Sequence, residues 1–195
     1  EHPDPLKYVF HLRQGVRWQD IPPVNGRALV AQDVVFSLER MRTPGWPGAA
    51  LLQGVASVEA TDAQTVTIRL RYPDADFLLA LANGQSKVVS HEAVAVKGHL
   101  RQGPTIGTGP WVMKETGPEG VVLEANHRYY EPGLPGLQQL RILPISDPST
   151  RLAALLVGRV DPGLGLVRVV QDHSLTSNRQ SERRGHGQHR AAERV

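Results

Sequence analysis

The sequence predicts a mixed α/β or α+β fold. Stretches with period-two alternation recur between turns rich in Gly and Pro. A few amphipathic helical stretches are scattered among them, and the regular strand–helix alternation of a doubly wound domain is missing. At 195 residues, with 40% hydrophobic and 21% charged residues, the chain suits one domain, or one and a part, with a real core. Nineteen Gly and fifteen Pro favour many turns and short elements over a helical bundle.

Tyr8, Phe10 and Leu12 alternate with Val9, His11 and Arg13, the pattern of a half-buried strand, which Gly15 ends. Val16–Trp18 is expected as a short extended piece, and Asp20–Ala28 as a loop. Val34, Val35, Leu38 and Met41 then share one helical face, and Thr43-Pro44-Gly45 stops that helix. Val55–Ala60 and Thr65–Arg71 predict two strands around a turn, with Val66, Ile68 and Leu70 facing one way. A short helix over Ala75–Ala82 should follow, with Asp74 and Asp76 at its start and Gly84 as its C-terminal glycine. Pro110–Thr116 and Val121–Asn126 predict a hairpin, and Gln139–Ile145 a further strand. Asp147 before Pro148 marks a helix start; Leu152, Leu155 and Leu156 form its apolar stripe, and Gly158 ends it.

Charge is unevenly placed. Residues 173–195 hold five Arg against two Glu, whereas residues 1–172 balance 17 basic against 17 acidic residues. The basic excess is therefore a tail without apolar periodicity, expected to be disordered, and not a nucleic-acid-binding face on the body. The absence of cysteine excludes disulfides and thiolate metal sites. No apolar run reaches the roughly 18 residues that span a bilayer, and a targeting signal is expected outside this sequence.

Few residues invite chemistry. Gly103–Pro110 has the glycines of a phosphate loop, but a strand and not a helix is expected after it, so a crossing turn is the better reading. Ser90-His91 is the one adjacent Ser–His pair, without a nucleophile elbow around it. His186 and His189 lie among glycines that argue against a shared helical metal site. No enzyme, cofactor or metal centre is indicated. Trp46 differs: it lies in the Gly/Pro loop Thr43–Ala50, where an aromatic is either a ligand platform or folded back under its own loop.

Together, four collinear motifs resemble the extracytoplasmic solute-binding proteins of ABC importers, family 5, the peptide/nickel type. They are YVFHLRQGVRWQDIPPVNGRALVAQDVVFSLERM, SVEATDAQTVTIRLRYPDADFLLALA, IGTGPWVMKE and VVLEANHRYYEPGLPGLQQLRILPISDPSTRLAALLVGRVD, spanning residues 8 to 161. The resemblance implies a two-lobed fold of the periplasmic-binding-protein type II, with ligand held between lobes as a hinge closes. This chain would be part of one lobe: residues 1–100 its smaller subdomain, 101–165 part of its larger one, and 166–195 a basic polar tail, disordered or out of frame. It implies a binding role, not catalysis: capture of a peptide or related solute and delivery to permease subunits, outside the cytoplasm, with half a cleft present here. Trp46 on its loop, and Asn83, Gln85 and Lys87 on a strand expected after the short helix, are the ligand-facing positions it suggests, and Asp33 with Gly107, Thr108, Gly109 and Pro110 the structural motif.

The sequence departs from that pattern in places. Val30 stands where members have Thr or Ser capping the signature helix, which should weaken its start by about 1 kcal/mol. Ile21-Pro22 replaces a Gly-Thr, and Arg159 an acid. A second class of function, a sensor whose basic tail contacts nucleic acid, would show weak and steeply salt-dependent binding.

Overall fold

A computed structural model describes residues 1–96, 98–101 and 105–161, and the backbone of 167–170. The chain divides into two compact units, 1–112 with 126–134, and 113–125 with 135–195.

The first unit is built on an antiparallel sheet of β1 (Lys7–His11), β2 (Val55–Ala60) and β3 (Thr65–Leu70), in the order β1-β3-β2. Tyr8 and Val58 both pair with Ile68, so the central strand is gripped from each side. The predicted face of β3 is the buried one: Val66, Ile68 and Leu70 join Val55 and Val58 in the core. Helix α1 (Ala31–Met41) lies over this sheet, contributing Ala31, Leu38 and Met41, with Val34 and Val35 packed at the margin. Each fully buried side chain of this size contributes about 1.5–3 kcal/mol relative to exposure. A 3₁₀ turn (Ala49–Leu52) and helix α2 (Phe77–Leu81) pack against each other and close the core with Leu52 and Phe77. Val16–Trp18 is extended as expected, bridging to the far side of its loop through Arg17 and Ala28.

Three local features depart from the sequence reading or were not foreseen by it. Helix α2 is shorter than Ala75–Ala82, because the Asp74 carboxylate accepts from the Asp76 amide (2.9 Å) and so closes a turn ahead of the helix. Asp76 occupies the cap position but makes no side-chain cap bond. Gly84 is not a left-handed terminator; Ala82, in the right-handed region, caps the helix and Asn83–Lys87 is a turn running into irregular chain, not a strand. Finally, helix α3 (His91–Ala95) begins at Ser90, which is buried; its hydroxyl accepts from the Ala93 amide (3.2 Å). At one and a half turns, α3 is too short for apolar periodicity to reveal it.

The second unit carries a sheet in the order β4-β5-β6-β7. Strands β4 (Trp111–Gly117) and β5 (Gly120–Ala125) form the expected hairpin over Pro118-Glu119. A Cβ at Gly120 (φ +121°) would collide with the Ile142 carbonyl oxygen, which makes glycine necessary there. Strand β6 (Gln139–Ile142) stops short of Ile145, before Pro144, which has no ladder donor; β7 (Val167–Val170) pairs with it. Helix α4 (Pro148–Leu156) starts at the predicted cap, the Asp147 carboxylate accepting from Thr150 N (2.6 Å), and ends at Gly158 with φ +66°. Its expected apolar stripe, Leu152, Leu155 and Leu156, is exposed among the described residues, as is Val157. The expected 166–195 tail is corrected at its start, where 167–170 form β7 against β6; the rest of it, with its histidines, lies outside the described residues.

Candidate functional site

The signature helix places the candidate residues, and its first turn is the most heavily bonded point of the unit. Valine offers no side-chain acceptor at Val30, so only half of a capping box forms: the Val30 amide donates to Asp33 Oδ2 (3.1 Å). Asp33 is nearly fully buried and takes three more bonds, from two further residues. Arg27 donates through Nη2 to Oδ1 (2.6 Å) and through Nη1 to Oδ2 (2.8 Å), and Trp18 Nε1 donates to Oδ2 (3.2 Å). The same guanidinium reaches Glu92 on α3, with Nη2 to Oε2 at 2.8 Å. Burial acts against the Asp33 charge, but the bonds from Arg27, Val30 and Trp18 outweigh it and hold the carboxyl below its usual range. The Arg27 hydrogen bond likewise lowers the Glu92 carboxyl, against the opposing effect of burial, and the Asp33 and Glu92 bonds raise the guanidinium. Asp33, Glu92 and His91 come close enough to suggest a cation seat. Arg27 already fills it with a fixed positive charge, and the donor set does not call for a metal.

One turn further along α1, Ser37 accepts from the Val89 amide (2.9 Å) and its hydroxyl lies within donating distance of the Asp33 and Val89 carbonyls. That clasp fixes the chain that leaves the Asn83 turn. Within the turn, Asn83 Oδ1 accepts from Gln85 N (2.9 Å) and the Ser86 hydroxyl donates to the Ala80 carbonyl (2.6 Å). Asn83, Gln85 and Lys87 are all exposed. At the C-terminal end of α1, Arg40 lies over the Trp46 ring, 4.1 Å from its centroid, and Met41 packs against Gly48. Trp46 is 40% exposed, so it is neither folded under its loop nor free of it.

The Gly107-Thr108-Gly109-Pro110 segment is a crossing turn that runs straight into β4, with no helix to cradle a phosphate. It is clamped from two directions. Buried Gln19 donates Nε2 to the Trp111 carbonyl (2.6 Å) and accepts from Gly107 N (3.2 Å), while the Gln19 amide donates to the Gly107 carbonyl (2.9 Å). Asn126 donates its side-chain amide to the Gly109 carbonyl (2.9 Å) and its main-chain amide to that of Pro110 (2.8 Å). Thr108 lies half-exposed in the bend.

The motif residues thus sit in two bonded knots, and the ligand-facing candidates lie on the loops that α1 holds. Sequence reasoning missed Arg27, Trp18, Glu92 and Gln19. Their side chains meet partners up to 92 positions away, and no local spacing signals that. A recess in the second unit, lined by Glu115–Val122, Arg141 and Leu143, holds none of the candidates.

Comparisons with known proteins bear on the family and the fold. The profile of the bacterial extracellular solute-binding proteins, family 5 (Middle), matches residues 1–173. Heme-binding protein A of Haemophilus influenzae is 31% identical, over 81% of this chain and 32% of its own length. Glutathione-binding protein GsiB of Escherichia coli is 30% identical, over 80% and 30%. Among solved structures, the periplasmic binding protein DppA of Helicobacter pylori, in complex with a peptide, superposes with a TM-score of 0.70 at 29% identity, covering 81% of this chain and 35% of that one. The chain spans about a third of the length of these relatives. It belongs to family 5 of the bacterial extracellular solute-binding proteins.

Proposed function

We propose that the chain is part of the substrate-binding component of an ABC importer for peptides or related solutes. The observation that carries this reading is the likeness of its fold to a peptide-bound periplasmic binding protein at a TM-score of 0.70. Residues 1–100 serve as the smaller subdomain of one lobe and 101–165 as part of the larger. Trp46, Asn83, Gln85 and Lys87 line this half of the cleft, which a second lobe completes on closure. The work is capture and delivery to permease subunits outside the cytoplasm, with no bond made or broken. Among the described residues no helix is long and apolar enough to cross a membrane. No observation favours the nucleic-acid sensor.

Half a cleft gives half the contacts, so the isolated chain should bind di- and oligopeptides poorly or not at all, with a Kd on the order of millimolar at best, about 4 kcal/mol. Calorimetry and NMR titration check this. Micromolar binding by the 195-residue chain would overturn this expectation and with it the need for a second lobe.

A further inference from the structure

We infer that the Arg40–Trp46 pair is a recognition point for a carboxylate, so that the solute taken here is a carboxylate-bearing one; the inference rests on the solute-binding reading above. Two arginines lie in the last turn of α1 and beyond it, and they are used differently. Arg42 is committed: Nη1 donates to Glu39 Oε1 (2.6 Å) and Nη2 to the Val55 carbonyl (2.8 Å). Glu39, the acid beside Arg40 in sequence, is thereby neutralised by the other arginine. Arg40 is left with the Trp46 face as the partner of its guanidinium among the described residues.

A guanidinium lying over an indole has one side screened from water by the ring, while N–H donors at its edge remain available to a ligand. That arrangement suits a carboxylate, which takes two parallel charge-assisted bonds from such a fork. The platform itself is held: Trp46 N donates to the Thr43 carbonyl (3.1 Å), Ala49 N to the Trp46 carbonyl (3.0 Å), and Gly45 turns the chain at φ +88°. The competing account is that Arg40 merely shields an exposed ring. It predicts that changing Arg40 alters stability but not ligand selectivity.

The test titrates the 195-residue chain with trialanine, trialanine amide and inorganic phosphate, following the Trp46 indole N–H by NMR, with that resonance assigned by its loss in Trp46→Phe. The wild type should bind the free acid about tenfold more tightly than the amide, the loss expected for one charge-assisted contact in a wet site. Arg40→Gln should remove that ratio, and Arg40→Lys should restore only part of it, because the ammonium keeps charge but not the planar fork. An unshifted Trp18 indole signal reports that the variants remain folded. Equal binding of acid and amide, or a ratio that survives Arg40→Gln, would overturn the inference while leaving solute binding intact. Phosphate binding as tight as the acid would reduce the site to a general oxyanion contact and overturn the carboxylate assignment. If neither peptide form binds, the Arg40–Trp46 pair is no recognition point by itself and the inference is overturned, while the half-cleft reading stands.

Discussion

Helices α1 and α4 invert each other's strengths. Helix α4 has the better local sequence, with aspartate at the cap bonded to Thr150 N, proline in its first turn and a left-handed glycine at its end. Its apolar residues nevertheless face solvent, Leu156 at 77% exposure. Helix α1 starts on a valine that cannot cap it, yet its apolar face is buried and its N3 aspartate is bonded to Arg27, Trp18 and Val30. Capping is a local property worth about 1 kcal/mol. A buried, bidentate ion pair and a packed face are tertiary properties, and where they exist the cap becomes a minor correction.

The comparison breaks most sharply at Asp33. Asp33→Ala strands the Arg27 guanidinium and removes the Val30 and Trp18 acceptor, so it should cost about 3 kcal/mol, the low end for a buried pair because Glu92 still faces Arg27. Chemical denaturation measures this. The wild type adds a pH signature. The Asp33 carboxyl is depressed in the folded state, so its contribution is complete above the unfolded carboxyl pKa, about 4. That contribution is lost as pH falls through the lower folded value. Asp33→Ala should flatten the stability profile in that window; an unchanged profile would show that Asp33 is not the hub.

A smaller effect of opposite sign sharpens the same point. Val30→Ser supplies the missing cap acceptor for the first turn of α1 and should stabilise the chain by about 0.5–1 kcal/mol. A loss would mean that the half-buried Val30 side chain packs to greater effect than a cap.

Least of all should happen at α4. Leu156→Lys removes an exposed apolar side chain and should change stability by less than about 0.5 kcal/mol, while lowering self-association in light scattering. A large destabilisation would show that the stripe is covered in solution.

Much of the scaffold was legible because its signals are local. The alternation of β3, the face of α1, the β4–β5 hairpin and both ends of α4 follow from periods and turn residues within a dozen positions. Asp33 was legible only as a motif residue that the resemblance implied, and the Gly107–Pro110 segment as a turn. What was hidden depends on distance along the chain. Arg27 meets Glu92 across 65 positions and Gln19 meets Gly107 across 88. Ser90 is an ordinary residue in sequence and a buried cap in space. Helix α2 was misjudged for a different reason: Asp74 satisfied a turn instead of a cap, two uses of one side chain that differ only in backbone conformation.

By itself the sequence determined the alternating strands, the amphipathic helix and the glycine turns, because hydrophobic period and backbone permissiveness act between near neighbours. The tertiary structure alone decided that a poorly capped helix would be the best-held one, that Arg27 would fill the space between two acids, and that Arg40 would lie on Trp46 with its donors open. Those outcomes are set by which distant groups are desolvated together, and a linear pattern carries no measure of that.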